Sequence, residues 1–170
     1  MAVLDVPSDH ATGYGRFRAS EEHAADVAAV IASLRKVAPV PVWLVGTSRG
    51  TVSAAFVAAR LRQGGPDGLV LTSTVTERSR VVTDTVIDAD LDEVRVPTLI
   101  VHHKLDSCIV TKYDVARLLA REFKKAPRAE FVAFEGGTSV GDPCEAFGYH
   151  GYNGIEAEVV KAIAAWIKAR

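Results

Sequence analysis

No apolar stretch in this chain of 170 residues approaches the ~20 residues that a helix needs to cross a bilayer, so a membrane-spanning helix is not expected. Charge of one sign is lacking too. The 20 Lys and Arg stand against 21 Asp and Glu, a formal net charge of -1, which gives no electrostatic reason to expect a nucleic acid or a membrane surface as partner. Basic clusters such as Lys124-Lys125 and Arg78 to Arg80 are short and read as solvated surface. Met1 leads directly into Ala2-Val3-Leu4, without the basic region and apolar core of a signal peptide. The two cysteines, Cys108 and Cys144, have no close-spaced partners of the C-x-x-C kind, and no metal site is expected from them. Internal repeats and low-complexity linkers are also missing. Residues 1–170 therefore read as one globular domain, long enough to bury a substantial core.

What is present is alternation. Ala2 to Val6 reads as a strand, followed by a glycine-containing loop from Pro7 to Arg18. Ser20 is a good N-cap, with Glu21 and Glu22 in the first turn, and Val27, Val30, Ile31 and Leu34 recur at helical spacing. Further apolar runs at Val42 to Val45, Gly68 to Ser73, Pro97 to His102 and Ala129 to Phe134 predict four more strands. Between and after them, Thr51 to Leu61 predicts a helix, as do the stripes Val115, Leu118, Leu119, Phe123 and Val159, Val160, Ile163, Trp166, Ile167. Short apolar strands separated by helices predict an α/β fold, a three-layer arrangement with a parallel sheet and helices on both faces. Ligands in such sheets bind outside the carboxyl ends of the strands.

One run stands out against that background. In Pro41 to Gly50, PVWLVGTSRG, an apolar strand empties into Gly46-Thr47-Ser48-Arg49-Gly50, the G-x-S-x-G pattern of a nucleophile elbow. A tight strand-to-helix turn holds a serine hydroxyl clear of its neighbours, where a base can reach it. Ser48 is the expected nucleophile, and Gly46 and Gly50 are expected to supply the space the turn needs. The helix that follows turns its free N–H groups toward the site, so the Arg49 N–H is the expected oxyanion donor. The three fixed positions alone match by accident in roughly one chain of this size in twenty. The order strand, elbow, helix is what gives them weight.

A serine nucleophile needs a base, and the base needs an orienting acid. Asp106 lies in the loop His102-His103-Lys104-Leu105-Asp106-Ser107-Cys108 that leaves the fourth expected strand, Pro97 to His102, with Glu77 as its rival after Gly68 to Ser73. His150 lies between Gly148 and Gly151 in the long segment after Ala129 to Phe134. Of the other histidines, His10 and His23 precede Ser48, and His102 and His103 stand at a strand end, His102 packing inward. Only His150 gives the chain order Ser, acid, His. The bland readings are a turn aspartate and a surface-loop histidine.

GTSRG, then VHHKLDSC, then HGY before a closing amphipathic helix resembles the C-terminal two-thirds of an α/β-hydrolase, near the small esterases and dienelactone-hydrolase-like members. VHHKLDSCIV is similar to that family's V-H-G-x-x-D-x-x-V segment, with His103 where glycine is usual. The resemblance covers nearly the entire chain and implies Ser48 as nucleophile, Asp106 as acid and His150 as base. It also implies a departure. Family members have three further strands and a helix ahead of the segment matching Ala2 to Val6, one of those strands lying beside the elbow strand, and that part carries the second oxyanion donor. The expectation is a shortened chain whose sheet re-pairs or takes a partner chain or a second copy at the gap. The interval Ser73 to Pro97 is too short for a lid domain, which predicts an open site.

If acid and base meet, so do their loops, and Cys108 and Cys144 come within bridging range. A disulfide is the expectation, with two unrelated buried thiols as the alternative. A disulfide points to an oxidising compartment such as the bacterial periplasm, at odds with the missing signal peptide unless upstream sequence carries one. The function expected is hydrolysis of a small-molecule carboxylic ester or thioester through a Ser-His-Asp triad, with no cofactor. Two alternatives stand beside it: a non-catalytic hydrolase-like remnant that pairs through its incomplete sheet, and an acyltransferase.

Overall fold

In the computed structural model, residues 2–4 and 16–169 are described. Helix α1 spans Glu21–Val37, strand β1 Trp43–Thr47, helix α2 Arg49–Arg60, β2 Gly68–Thr72, β3 Thr98–His103, the single-turn α3 Tyr113–Ala116, β4 Ala129–Phe134 and α4 Glu156–Lys168. The strands form a four-stranded sheet in the order β1-β2-β3-β4, and every neighbouring pair is parallel. Strands connected in sequence are neighbours in space. The α/β class and the parallel sheet follow as expected.

Side-chain alternation divides the sheet into two faces. Leu69, Leu71 and Ile100 point to one side, where they join Val52, Ala55 and Ala58 of α2, Val86 and Leu91 of the segment after β2, and Leu119 and Phe123. Val70, Leu99 and Val101 point to the other, against Val159 and Trp166 of α4 and Tyr152. α1 packs a third cluster, Ala24, Val27 and Ile31, on Val57 of α2. Ser20 caps α1 by accepting the His23 N–H at 3.1 Å, as its position predicts.

Among the described residues, β1 is the edge strand of the sheet. Its Leu44 packs toward α2, but Val45 on the opposite side is 57% exposed. Gly68 lies across from Trp43 in the register, and a Cβ there would sit 2.3 Å from the indole. The bare backbone of Gly68 is what lets Trp43 lie flat over β2 and meet Trp166 edge to face, with ring centroids 5.9 Å apart.

Several sequence expectations need correction. Ala2–Leu4 form no strand, and the remainder of the expected first strand and loop, from Asp5 to Gly15, lies outside the described residues. The stripe from Val115 to Phe123 is not one helix: α3 ends after four residues and a 3-10 turn, Leu119–Arg121, follows. Lys112 gives α3 no side-chain cap. The tighter turn carries Leu119 and Phe123 into the core and leaves Leu118 exposed. In α4, Val160 also faces outward, so the buried stripe is Val159 and Trp166 with half-buried Ile163 and Ile167. Between Ser73 and Pro97, Val82, Val86 and Leu91 cover the core, while Val81 and Ile87 face outward.

Candidate active site

Ser48, Ser73, Asp106 and His150 all follow the carboxyl ends of the parallel strands, where open α/β sheets place their ligands. Ser48 joins β1 to α2 with φ 51° and ψ -122°, a conformation sparsely populated by residues other than glycine. Its N–H donates to the Thr72 carbonyl at 3.1 Å, and its own carbonyl accepts from the Thr51 N–H at 2.9 Å and the Thr51 hydroxyl at 2.5 Å. Thr51, fully buried, also accepts the Val75 N–H at 3.2 Å, which ties the first turn of α2 to the segment after β2. Both flanks of the kink are thus fixed by hydrogen bonds.

The two elbow glycines are not equivalent. A Cβ on Gly46 would lie 2.3 Å from the Gly50 carbonyl oxygen, so the strand and the helix approach through bare backbone at Gly46. A Cβ on Gly50 would meet nothing within 4 Å, which corrects the expectation that both glycines make room. The N–H groups of Arg49 and Gly50, at the start of α2, have no acceptor among the described residues.

On the neighbouring corner, His150 and Asp106 meet. His150 Nδ1 lies 3.0 Å from Asp106 Oδ2, and both residues are buried. The Asp106 carboxylate accepts further bonds from the Cys108 N–H at 3.0 Å and the Thr111 hydroxyl at 2.9 Å, and His102 Nε2 lies 3.4 Å away. Burial alone raises a carboxyl pKa, but here the donors from His102, His150 and the Cys108 N–H outweigh it and hold Asp106 far below the usual carboxylate range. Asp106 is ionised. With the Nδ1 hydrogen of His150 directed at it, Nε2 carries the lone pair, and Nε2 is buried without a hydrogen-bond partner among the described residues. Glu77, the rival acid, makes no hydrogen bond to His150. His23 bonds Ser53 on α2, away from this corner, and His10 lies outside the described residues.

No family model and no curated protein matches the chain.

Three residues that sequence reading passed over, Ser73, Tyr152 and Thr111, hold the His150 loop and Asp106 to the ends of the strands. Thr72 pairs with Thr47 across the sheet, so Ser73 follows β2 just as Ser48 follows β1. Ser73 is also left-handed, φ 46°, and buried. Its hydroxyl donates to the His150 carbonyl at 2.6 Å. Tyr152 accepts the Ser73 N–H at 3.2 Å and donates its hydroxyl to the Val101 carbonyl at 2.9 Å. Burial raises the phenol pKa above its ordinary value, keeping that donor proton in place. Thr111 completes the set. In sequence all three read as a strand end, an aromatic and a loop threonine. The one signal for Tyr152 was its place in HGY, two residues after the candidate base.

The Cys108–Cys144 disulfide is present, with Cα atoms 4.6 Å apart, and joins the Asp106 loop to the His150 loop. His103, at the position where the resembled motif has glycine, is fully buried: Nε2 donates to the Gly136 carbonyl at 2.9 Å, Nδ1 accepts the Leu105 N–H at 3.1 Å, and the ring stacks on Tyr149 at 4.6 Å. It braces both loops from the α4 side.

Ser48 Oγ makes no hydrogen bond to His150 Nε2. Beside the elbow, a shallow hollow is bordered by Arg49, Val52, Val82, Thr83 and Asp84. A hollow of about 210 Å³, lined by Arg35, Gly65, Asp67, Glu93 and Arg95 among others, lies toward the amino ends of β2 and β3, the wrong end for this chemistry. Among the described residues no cluster of His, Cys, Asp and Glu could hold a metal ion, and no helix is long and apolar enough to cross a membrane.

Proposed function

We propose that this chain is a serine hydrolase of the α/β-hydrolase type, acting on a carboxylic ester or thioester. The observation that carries the reading is a kinked Ser48 at a strand-to-helix turn, past the same end of the sheet as a buried imidazole that is bonded to Asp106 through Nδ1 and whose Nε2 has no partner among the described residues. In the reaction His150 Nε2 accepts the Ser48 proton as Oγ attacks the carbonyl carbon. The imidazolium so formed is stabilised by Asp106. Negative charge on the tetrahedral oxygen meets the Arg49 N–H and the amino end of α2. His150 then returns the proton to the leaving alkoxide or thiolate, and a water activated by the same nitrogen releases the acid from the acyl-Ser48 ester. An alcohol or amine in place of that water would give acyl transfer through the same intermediate.

A fluorophosphonate probe tests the reading. The folded chain is expected to label at Ser48, and Ser48→Ala to lose labelling completely with an unchanged far-UV spectrum. An unlabelled wild type, or a labelled Ser48→Ala, would defeat it.

A second reading, a non-catalytic hydrolase-like chain that pairs through its sheet, is favoured by one observation: β1 is a sheet edge with Val45 exposed beside it. It predicts a dimer or a partner-bound species by light scattering and no labelling.

A further inference from the structure

His102 stands on β3 with the parity of Ile100, facing the α2 side of the sheet, where an apolar side chain would fill the space equally well. It is fully buried, and its ring meets Tyr113 edge to face, with centroids 6.0 Å apart. Its Nε2 has two acceptors in reach, the Thr111 carbonyl at 3.2 Å and Asp106 Oδ2 at 3.4 Å, while Nδ1 has no partner. Only the Nε2–H tautomer satisfies that surrounding. The opposite tautomer would bury an N–H without an acceptor and set a lone pair against a carbonyl and a carboxylate.

Thr111 stands between this ring and the candidate base. Its backbone N–H donates to the Cys108 carbonyl at 3.2 Å, its carbonyl shares the His102 Nε2 hydrogen with Asp106 Oδ2, and its hydroxyl donates to Asp106 Oδ2 at 2.9 Å. The same hydroxyl oxygen lies 3.3 Å from His150 Nδ1. Its single hydrogen goes to the carboxylate, so toward His150 it offers a lone pair. The His150 Nδ1–H therefore has two acceptors, and both are held by residues of one short turn.

We propose that Thr111 and His102 are positioning residues: the His102 Nε2–H fixes the Thr111 carbonyl, and the Thr111 hydroxyl in turn fixes Asp106 and the Nδ1–H tautomer of His150, leaving Nε2 for the reaction. The catalytic meaning of this device rests on the hydrolase reading, whereas the device itself does not. Replacing the Thr111 hydroxyl by a methyl keeps the shape and removes both bonds. Replacing the His102 donor frees the carbonyl that orients Thr111.

Ring-nitrogen NMR of the unmodified chain comes first, because it needs neither a variant nor turnover. The expected result is Nε2–H on His102 and Nδ1–H on His150, and Nδ1–H on His102 would overturn the proposal. In the variants, Thr111→Val is expected to shift and broaden the His150 Nδ1–H resonance and to slow phosphonate labelling roughly 10- to 100-fold, as a small misplacement of a reacting group does. Thr111→Ser, which keeps the hydroxyl, is expected to restore both within about threefold. His102→Gln keeps a donor and is expected to stay closer to wild type than His102→Leu. A folded Thr111→Val with an unchanged Nδ1–H signal would overturn the assignment even if the wild type labels. If the wild type does not label, the hydrolase reading fails and the NMR results still decide this one.

Discussion

The corner that holds Asp106 and His150 and the edge that holds Ser48 are built to different standards. In the corner, both side chains are buried, the carboxylate has donors on each oxygen, and a disulfide, Ser73, Tyr152 and His103 hold the loops together. At the edge, Ser48 is half-buried just past β1, a strand with one neighbour among the described residues, and its orientation rests on a bond to the Thr72 carbonyl and bonds from the Thr51 N–H and hydroxyl. A proton acceptor of defined direction needs surroundings that satisfy every other polar atom. A nucleophile needs access, and a kinked backbone supplies it.

The largest expected effect breaks the corner chemically. Asp106→Asn keeps the shape but offers His150 Nδ1 an amide, and labelling of Ser48 is expected to fall roughly 1,000- to 10,000-fold, measured as the probe's second-order rate. The same carboxylate sets a pH dependence. Because its folded pKa lies below the unfolded value of about 3.9, its contribution to stability is fully present above that pH and is lost as the pH falls through the folded value. Denaturant titrations of wild type and Asp106→Asn from pH 6 downward should therefore keep their gap to about pH 4 and begin to converge only as the pH falls further. A constant gap between the two would contradict that origin.

Next in size is the staple. Cys108 and Cys144 are separated by 36 positions, and a loop of that length is worth about 4 kcal/mol in the chain-entropy account. Cys108→Ser/Cys144→Ser should lose that much by denaturant titration and label more slowly, because the Asp106 loop is then free of the His150 loop. Unchanged labelling with lowered stability would assign the bridge to folding alone.

The edge can be broken more gently. Gly46→Ala forces a Cβ against the Gly50 carbonyl and should cost about 1–3 kcal/mol in stability while reducing labelling through a displaced Ser48. Gly50→Ala, in open space near the start of α2, should change stability by less than about 1 kcal/mol and leave labelling intact. Equal losses at the two glycines would show that the elbow is braced by something other than this contact.

The four strands of the sheet and the closing and elbow helices were legible because apolar runs bounded by Gly and Pro announce them. That Asp106 and His150 would meet was legible from chain order, and the disulfide followed once their loops were expected to come together. Ser73 was not, because a left-handed φ on a serine leaves no mark on composition and depends on what the hydroxyl finds across the sheet. The break between Val115 and Phe123 was hidden for a related reason. Residues three and four apart share a stripe in an α-helix, and a switch to 3-10 geometry moves Leu118 off it without changing the spacing in sequence. Ala2 to Val6 has strand-like residues, yet Ala2–Leu4 pair with none of the four strands.

The two tryptophans have a practical consequence. Trp43 and Trp166 meet edge to face where α4 closes over the start of β1, with the guanidinium of Arg128, just before β4, 4.1 Å from the Trp166 ring. Both indoles belong to the α4 face, and none lies among the side chains bonded to Asp106 or His150. Intrinsic fluorescence of this chain is thus an optical gauge of whether the last helix is seated. It would follow unfolding faithfully while remaining blind to what happens at Ser48.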